Sequence, residues 1–154
     1  MRGEIAITRS NPLLSYGLVG VQLLCLGLIA LSGPLFARNP ALLLVESIAG
    51  LLGLWAIWAM GLDNFNITPD VKRRARLVTG GPYRTIRHPM YSALQLGGLA
   101  LVLDAYSAER LIVWLVLFVD LLIKLNYEEQ LLSRDLEGYL SHKRRTKRLL
   151  PFLY

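Results

Sequence analysis

Long apolar blocks that carry almost no charge, separated by short charged stretches, limit what this chain can fold into. Four blocks can be drawn, at residues 13–32, 41–62, 89–103 and 111–125. A helix rises about 1.5 Å per residue and the hydrocarbon core of a bilayer is about 30 Å thick, so a spanning helix needs about 20 residues. The first two blocks reach that length, and the last two are shorter. We predict an all-α polytopic membrane protein with four transmembrane helices, the last of which continues past Lys124 into a helical C-terminal extension.

The composition agrees with this class of protein. The chain has 154 residues, of which 54% are apolar, and its mean hydropathy is positive, which is unusual for a soluble protein. We predict one membrane-embedded domain over residues 1–154, with an N-terminal helical hairpin at 1–62 and a core at 63–154. A cleaved signal peptide is not expected, because the first block is long and a second apolar block follows it. The only cysteine, Cys25, excludes an internal disulfide.

Basic residues gather in two of the stretches outside the blocks, and this predicts the orientation. One group is Lys72, Arg73, Arg74, Arg76, Arg84 and Arg87, and the other is Arg134, Lys143, Arg144, Arg145, Lys147 and Arg148. Because Lys and Arg near spans stay on the cytoplasmic side, we expect both termini and the 63–88 loop to be cytoplasmic. The same rule accounts for the basic net charge, and no element remains that would read a nucleic-acid groove. We therefore expect membrane lipids as partners and no nucleic acid.

Charged residues inside the blocks call for a partner or a function, since each costs a few kcal/mol in the membrane. Asp120, Lys124 and Glu128 recur every four residues and form one stripe along the last helix. Two interpretations stay open, an internal salt-bridge ladder alone or a ladder that also serves a site. Glu46 is interpreted as a lone packing or snorkelling group. Glu129 points away from the stripe, which indicates a supporting or surface position.

A dense polar and aromatic cluster precedes the third block. It reads Gly81-Pro82-Tyr83-Arg84-Thr85-Ile86-Arg87-His88-Pro89-Met90-Tyr91. Proline fixes its own φ and disfavours helix at the residue before it, so we predict Pro89 in the first turn of the third helix and His88 extended before it. Free N–H groups and the helix dipole there favour a carboxylate or another anion. The cluster therefore predicts a polar-ligand site at the mouth of a helix, although a helix start touching lipid phosphates remains the alternative.

These residues resemble a known superfamily of integral membrane enzymes. The segments Leu77-Val78-Thr79-Gly80-Gly81-Pro82-Tyr83, Arg87-His88-Pro89-Met90-Tyr91, Glu128-Glu129 with Tyr139, and Arg148-Leu149-Leu150-Pro151 are similar to motifs of the isoprenylcysteine carboxyl methyltransferase and phospholipid methyltransferase superfamily. The order is the same and the spacing is near that of the family, over roughly residues 66–151. The resemblance implies a methyltransferase that uses S-adenosylmethionine, releases S-adenosylhomocysteine, and acts on a lipophilic or membrane-borne acceptor.

The resemblance also implies roles for individual residues. Cofactor contacts fall on Leu77, Val78, Gly81, Tyr83, His88, Pro89, Met90, Tyr91 and Glu128, the catalytic set is Lys124, Glu128 and Arg87, and no metal is expected. Lys124 stands where the carboxyl methyltransferases have an arginine, and lysine lacks the planar fork that grips a carboxylate. The acceptor therefore stays open between a carboxylate, an amine and a thiol. His142 stands where a second tyrosine is expected after Tyr139.

Two other classes of function remain open from the sequence. One is a membrane scaffold or partner subunit whose basic loops bind anionic lipid. The other is a transporter-like protein in which Glu46, Asp120 and Lys124 form a polar relay. The small size favours a prokaryotic inner or plasma membrane protein, with the active site facing the cytoplasm. The sequence predicts no particular oligomeric state.

Overall fold

The described part of the chain is helical. A computed structural model describes residues 11–69 and 76–149. Its helices are α1 (Pro12–Leu31), α2 (Pro40–Met60), α3 (Pro89–Asp104), α4 (Ala108–Asp135) and α5 (Tyr139–Arg145), with a 3₁₀ turn at Gly81–Arg84. Within the described ranges there is no β-strand, only an isolated parallel bridge between Ile86 and Lys147. The prediction of an all-α fold is confirmed.

Local chemistry explains where the helices begin. Asn11 and Asn39 each accept two backbone N–H groups with their side-chain oxygen, and each is followed by a proline in the first turn. This arrangement satisfies free N–H groups and presets the helical φ. Ser107 caps α4 in the same way by accepting from Arg110 N. The α3 helix begins at Pro89 as predicted, with His88 outside it at φ −125° and ψ 58°.

Two of the helices, α1 and α2, are long and apolar enough to cross a bilayer. The α4 helix runs on to Asp135, which confirms the predicted extension past Lys124. The span count of four is not established by these lengths and stays a prediction. Lys72, Arg73 and Arg74 of the basic loop, and Leu150 and Pro151 of the final motif, lie outside the described residues.

The helices pack in two pairs. The α1 helix packs mainly on α4, and α2 packs mainly on α3. Cys25 and Ile29 of α1, Val102 of α3, and Leu117 and Leu121 of α4 form the buried core. The outer faces of α1 and α2 carry many exposed large apolar side chains. A continuous exposed apolar surface of this kind suits contact with lipid.

A buried arginine joins three helices at one end of the bundle. Arg110 donates hydrogen bonds to Ile29 O at 2.9 Å, to Leu101 O at 2.9 Å and to Ser32 Oγ at 2.7 Å. These carbonyls lie near the C-terminal ends of α1 and α3, where several backbone oxygens lack helical partners, although Leu101 O also accepts the N–H of Ala105. A Cβ on Gly33 would lie 2.5 Å from the guanidinium. Arg110 therefore holds α1 and α3 to the start of α4.

Glu46 contacts the loop before its own helix, so the interpretation as a lone residue was wrong. Its Oε2 accepts the N–H of Ala37 at 2.8 Å. Nearby, Asp104 Oδ1 accepts the N–H of Asn39 at 2.7 Å. Both carboxylates satisfy backbone donors of the connection between α1 and α2, and this explains why acidic residues are tolerated there.

Candidate functional site

A cavity of about 570 Å³ opens between the helices at the end of the bundle away from Arg110. Its size falls within the range of about 300–1,000 Å³ typical of small-molecule sites. Its walls come from α2 (Ala49, Gly53, Ile57), the 64–69 and 76–78 segments, the start of α3 (Met90, Tyr91), α4 (Lys124, Glu128) and α5 (Tyr139, His142). Segments far apart in the sequence thus share one concave surface.

Most of the predicted site residues face this cavity. Leu77, Val78, Tyr83, Met90, Tyr91 and Glu128 line it, as do Lys124 and Arg87. Gly81, His88 and Pro89 are not among the lining residues. Gly81 has φ 58°, and a Cβ there would lie 3.0 Å from Ala59 Cβ, so glycine is needed for backbone conformation and packing. The structure therefore brings residues 77–91 and residues 124–128, the two regions from which the site was predicted, into the wall of one cavity.

Tyr91 connects the start of α3 with α4. Its hydroxyl donates to Glu128 Oε2 at 2.7 Å. Its ring stacks on the His88 imidazole with 5.4 Å between centroids and 1° between planes. His88 Nδ1 lies 3.7 Å from Glu128 Oε2, so His88 packs against both Tyr91 and Glu128 without lining the cavity itself. His88 thus lies next to the cavity wall and contacts two residues that form it.

Glu129 is the centre of a buried ionic cluster. Of the two predicted positions, the supporting one agrees with the structure and the surface one was wrong. Only 2% of its side chain is exposed. Arg87 Nε lies 2.7 Å from Oε1, while Lys143 Nζ lies 3.0 Å and Arg148 Nη2 3.5 Å from Oε2. His88 Nε2 lies 3.4 Å from Oε1. The cluster therefore ties the start of α3, α4, α5 and the C-terminal segment together.

The charge state of Glu129 follows from these neighbours. Glu129 lies beyond Leu125, where the predicted span ends. Burial by itself would raise the pKa of this carboxyl group, but the contacts with His88, Arg87 and Lys143 outweigh it and hold the pKa well below its ordinary value. Glu129 is therefore ionised at neutral pH and keeps the cationic groups around it in place.

The Arg87 side chain is largely engaged within the protein. Besides Glu129, its Nη1 donates to Lys143 O at 3.1 Å and to Thr146 O. Its backbone N–H donates to Lys147 O at 2.8 Å. These contacts reach residues more than fifty positions away in the sequence. They indicate that Arg87 fixes α5 and the segment after it against the start of α3.

The segment 146–149 lies along residues 85–88 and closes one side of the site. Lys147 N donates to Thr85 O at 3.0 Å, and His88 N donates to Arg148 O at 3.1 Å. Ser92 Oγ donates to Leu149 O at 2.5 Å. Arg148 and Leu149, the described part of the C-terminal motif, thus lie in a strap of residues 146–149 over the start of α3. The strap reaches this position because α5 turns the chain back after α4.

Lys124 is almost fully buried, with 1% of its surface exposed. Its Nζ donates to Gln22 Oε1 at 2.6 Å and lies 5.5 Å from the centroid of the Tyr91 ring, a cation–π distance. In residues 11–69 and 76–149, no ion pair joins Lys124 to Asp120 or Glu128, and Asp120 Oδ2 has no hydrogen-bond partner. The salt-bridge ladder was therefore a wrong interpretation.

Gln22 lines the cavity but was not among the residues predicted from the sequence. It lines the cavity from α1 with 8% of its surface exposed. Long helical side chains point toward the N-terminus of their own helix. Because α1 and α4 pair in opposite directions, Gln22 and Lys124 point toward each other. The signal in the sequence was a single amide within the first apolar block, which is a costly position for a polar group.

Tyr139 and His142 of α5 line the cavity. Their ring centroids are 6.5 Å apart and their planes are tilted by 54°. Burial, with the nearby Glu129 charge, raises the pKa of the Tyr139 phenol well above its usual value. Burial, with the nearby Arg87 charge, lowers the pKa of His142. Both side chains are therefore neutral at pH 7, and His142 takes a lining position where a second tyrosine was expected.

The comparisons with known proteins bear on residues 39–137. A family model described as phospholipid methyltransferase matches this range. It includes α2, α3, α4 and the predicted contacts between Leu77 and Glu128, and it leaves out α1 with Gln22. No curated protein matches the chain.

Proposed function

Because the chain belongs to the phospholipid methyltransferase family, we propose that it is an S-adenosylmethionine-dependent methyltransferase acting on a lipophilic or membrane-borne acceptor. The two long apolar helices support a membrane location. The observation that carries the proposal is the Tyr91–Glu128 contact of 2.7 Å in the wall of one cavity. It joins the two regions in which the family motifs lie.

The residues around the cavity fit the chemistry of this cofactor. The flat ring of Tyr83 and the apolar side chains of Leu77 and Val78 suit an adenine. The Glu128 carboxylate suits ribose hydroxyls or the amino group of the methionine part. Burial and the Glu128 charge raise the pKa of Tyr83 well above its usual value, so its hydroxyl stays neutral beside the ligand. When bound, the sulfonium would supply a methyl group that is already activated.

The protein then has to align the acceptor and keep water out. Lys124 lines the cavity next to Tyr91 and would orient the acceptor. Arg87 and Glu129 would act through the shape of the site, since their contacts with Thr146 and Arg148 hold the strap of residues 146–149 against the start of α3. In this proposal Lys124 contacts the acceptor, Glu128 contacts the cofactor, and Arg87 acts only by positioning the strap.

The proposed topology has four spans with the cavity at the cytoplasmic end. Arg84, Lys143, Arg144, Arg145 and Lys147 lie around that end of the fold, which agrees with the positive-inside rule. A cofactor dissolved in the cytoplasm and an acceptor held in the bilayer would then meet at the membrane surface. A prokaryotic inner or plasma membrane fits the small size of the chain.

Calorimetric binding of S-adenosylhomocysteine to the detergent-purified protein tests the proposal. Wild type is compared with Glu128→Ala and His88→Ala, and the control is Glu109→Ala, an exposed carboxylate at the opposite end of α4. We expect both site variants to weaken binding and the control to leave it unchanged. Undiminished binding in both site variants contradicts the assignment. Wild type that binds no S-adenosylhomocysteine favours the scaffold alternative.

The transporter alternative has less support from the geometry. It needs Glu46, Asp120 and Lys124 to form a relay. Glu46 is bound to the Ala37 N–H near the opposite end of the bundle, and neither it nor Asp120 lines the cavity.

A further inference from the structure

We propose that a groove on α4 binds the phosphate group of an anionic phospholipid, and that an acyl chain of this lipid lies along the exposed apolar face of the same helix. The groove has a volume of about 500 Å³, and its walls come from α4, from Lys143 of α5 and from Arg148 of the strap. Among the residues that the structure describes, it shares no lining residue with the larger cavity. The lipid in this groove is therefore a second ligand and not the methyl acceptor.

One face of α4 changes from apolar to polar where the fourth apolar block ends. This face consists of Ile112, Val116, Val119, Ile123, Asn126, Gln130 and Ser133. Steps of four and three keep these residues on one side of the helix. The four aliphatic side chains are exposed, and the three polar ones line the groove. The face thus offers an apolar surface to an acyl chain and continues directly into polar groups for a headgroup.

The groove lies at the depth of the headgroups in the proposed topology. Leu125 ends the apolar block, and the polar part of the face follows immediately from Asn126 to Ser133. At about 1.5 Å per residue, this part is about 10 Å long. The headgroup layer of one leaflet is about 5–8 Å thick. A lipid of the cytoplasmic leaflet can therefore place its phosphate in the groove while its chains stay in the bilayer.

The charges around the groove favour an anion. Within the described residues, its lining includes three cationic side chains, Arg134, Lys143 and Arg148, and one carboxylate, Glu129. The Glu129 side chain is only 2% exposed, and its Oε2 lies 3.0 Å from Lys143 Nζ and 3.5 Å from Arg148 Nη2. An incoming phosphate therefore meets the cations and not the carboxylate. Basic pockets on the cytoplasmic side of membrane helices bind phosphate headgroups in this way.

Neutral donors add to this site. The exposed amides of Asn126 and Gln130 can each donate to a phosphate oxygen. The Ser133 hydroxyl is used within the helix, since it donates to Glu129 O at 2.6 Å. Glu129 fixes Lys143 at the inner wall, while Arg134 is exposed at the end of α4. Charge and hydrogen-bond donors thus both select a phosphate over a neutral headgroup.

The test titrates delipidated, detergent-purified protein with dioleoylphosphatidylglycerol and counts bound lipid by native mass spectrometry. Dioleoylphosphatidylcholine has the same chains without a net charge, and glycerol 1-phosphate has the phosphate without chains. Arg134→Gln and Gln130→Glu change two exposed side chains of the groove. The control is Arg144→Gln, which removes an exposed cation of α5 that does not line the groove. The unfolding midpoint is measured for every variant.

We expect wild type to bind the anionic lipid more tightly than the zwitterionic one, and glycerol 1-phosphate only weakly. Arg134→Gln should weaken binding of dioleoylphosphatidylglycerol by about fivefold, the effect of one basic residue near an anionic lipid. Gln130→Glu should weaken it at least as much, because a carboxylate then faces the phosphate. Arg144→Gln should leave the affinity unchanged, and all unfolding midpoints should stay close to that of wild type.

Several results would overturn the inference. Equal losses in Arg134→Gln and Arg144→Gln mean a general attraction of basic segments to anionic lipid, and equal affinity for both lipids means that charge plays no part. An affinity unchanged in both groove variants places the lipid elsewhere, and glycerol 1-phosphate bound as tightly as the lipid excludes a role for the chains. A dimer that binds no lipid and dissociates in Gln130→Glu shows that a second copy covers this face. Failure to bind S-adenosylhomocysteine contradicts only the proposed function.

Discussion

The Tyr91 hydroxyl donates a hydrogen bond of 2.7 Å to Glu128 Oε2, across 37 positions of the sequence. This contact joins the start of α3 to the part of α4 beyond Leu125. The same ring stacks on His88 and lies 5.5 Å from the Lys124 ammonium. Tyr91 therefore contacts both the anionic Glu128 and the cationic Lys124 in the wall of the cavity.

Replacing Tyr91 with phenylalanine tests that connection. The ring and its stacking on His88 are kept, and only the hydrogen bond to Glu128 is lost. We expect the affinity for S-adenosylhomocysteine to fall by up to about tenfold, the lower end for a bond to a charged group, since Glu128 is partly exposed. Calorimetry measures this change, with Tyr106→Phe as the control at an exposed tyrosine. Equal affinities for Tyr91→Phe and wild type show that the hydroxyl does not organise the site.

Replacing Glu129 with glutamine removes the anion from the buried cluster. Arg87, Lys143 and Arg148 would then face each other without a counter-charge. Removing one partner of a buried ion pair costs about 3–5 kcal/mol, and we expect the lower part of that range because Lys143 and Arg148 are partly exposed. Unfolding in detergent followed by tryptophan fluorescence measures the loss. The exposed Glu137→Gln is the control, and a loss no larger than that of the control contradicts the structural role of the cluster.

The same carboxylate predicts a pH dependence of stability. The pKa of Glu129 is lower in the folded protein than its ordinary value of 4.5. Its contribution to stability is therefore present at pH values above 4.5, begins to fall as the pH approaches that value, and is lost progressively below it. We expect the unfolding midpoint of wild type to drop more steeply between about pH 5 and pH 3 than that of Glu129→Gln. Parallel pH profiles for the two proteins contradict this prediction.

Replacing Arg110, which lies at the end of the bundle away from the cavity, tests whether stability and ligand binding are independent. Its three hydrogen bonds to α1 and α3 need the guanidinium fork, so Arg110→Lys leaves backbone acceptors without donors. We expect a loss of about 2–3 kcal/mol in the free energy of unfolding and no change in affinity for S-adenosylhomocysteine below the melting transition. Thermal unfolding and calorimetry of one preparation measure both quantities, with the exposed Arg38→Lys as the control. A weakened affinity in the folded variant means that the two ends of the bundle are coupled.

The sequence by itself determined the helices and the region of the site. Asn-Pro pairs at 11–12 and 39–40 and the proline at 89 define helix starts, because capping and a fixed φ act within a few residues. Uninterrupted apolar blocks of about 20 residues indicate helices that contact lipid, and this signal too is contained in a short stretch of sequence. The cluster at residues 81–91 and Glu128 were predicted to form a site, and Tyr83, Met90, Tyr91 and Glu128 do line the cavity, since such a dense run of polar and aromatic residues can be recognised without knowledge of the fold.

Only the tertiary structure decided which side chains became partners. A step of four placed Asp120, Lys124 and Glu128 on one stripe and indicated a ladder, yet Lys124 bonds to Gln22 across to α1. Glu129 points away from that stripe, which left a supporting and a surface position both open, and the structure places it at the centre of a buried cluster. Helical periodicity specifies the face on which a residue lies. Which helix covers that face, and how far long side chains reach across it, depends on the pairing of α1 with α4 and on the return of the chain through α5.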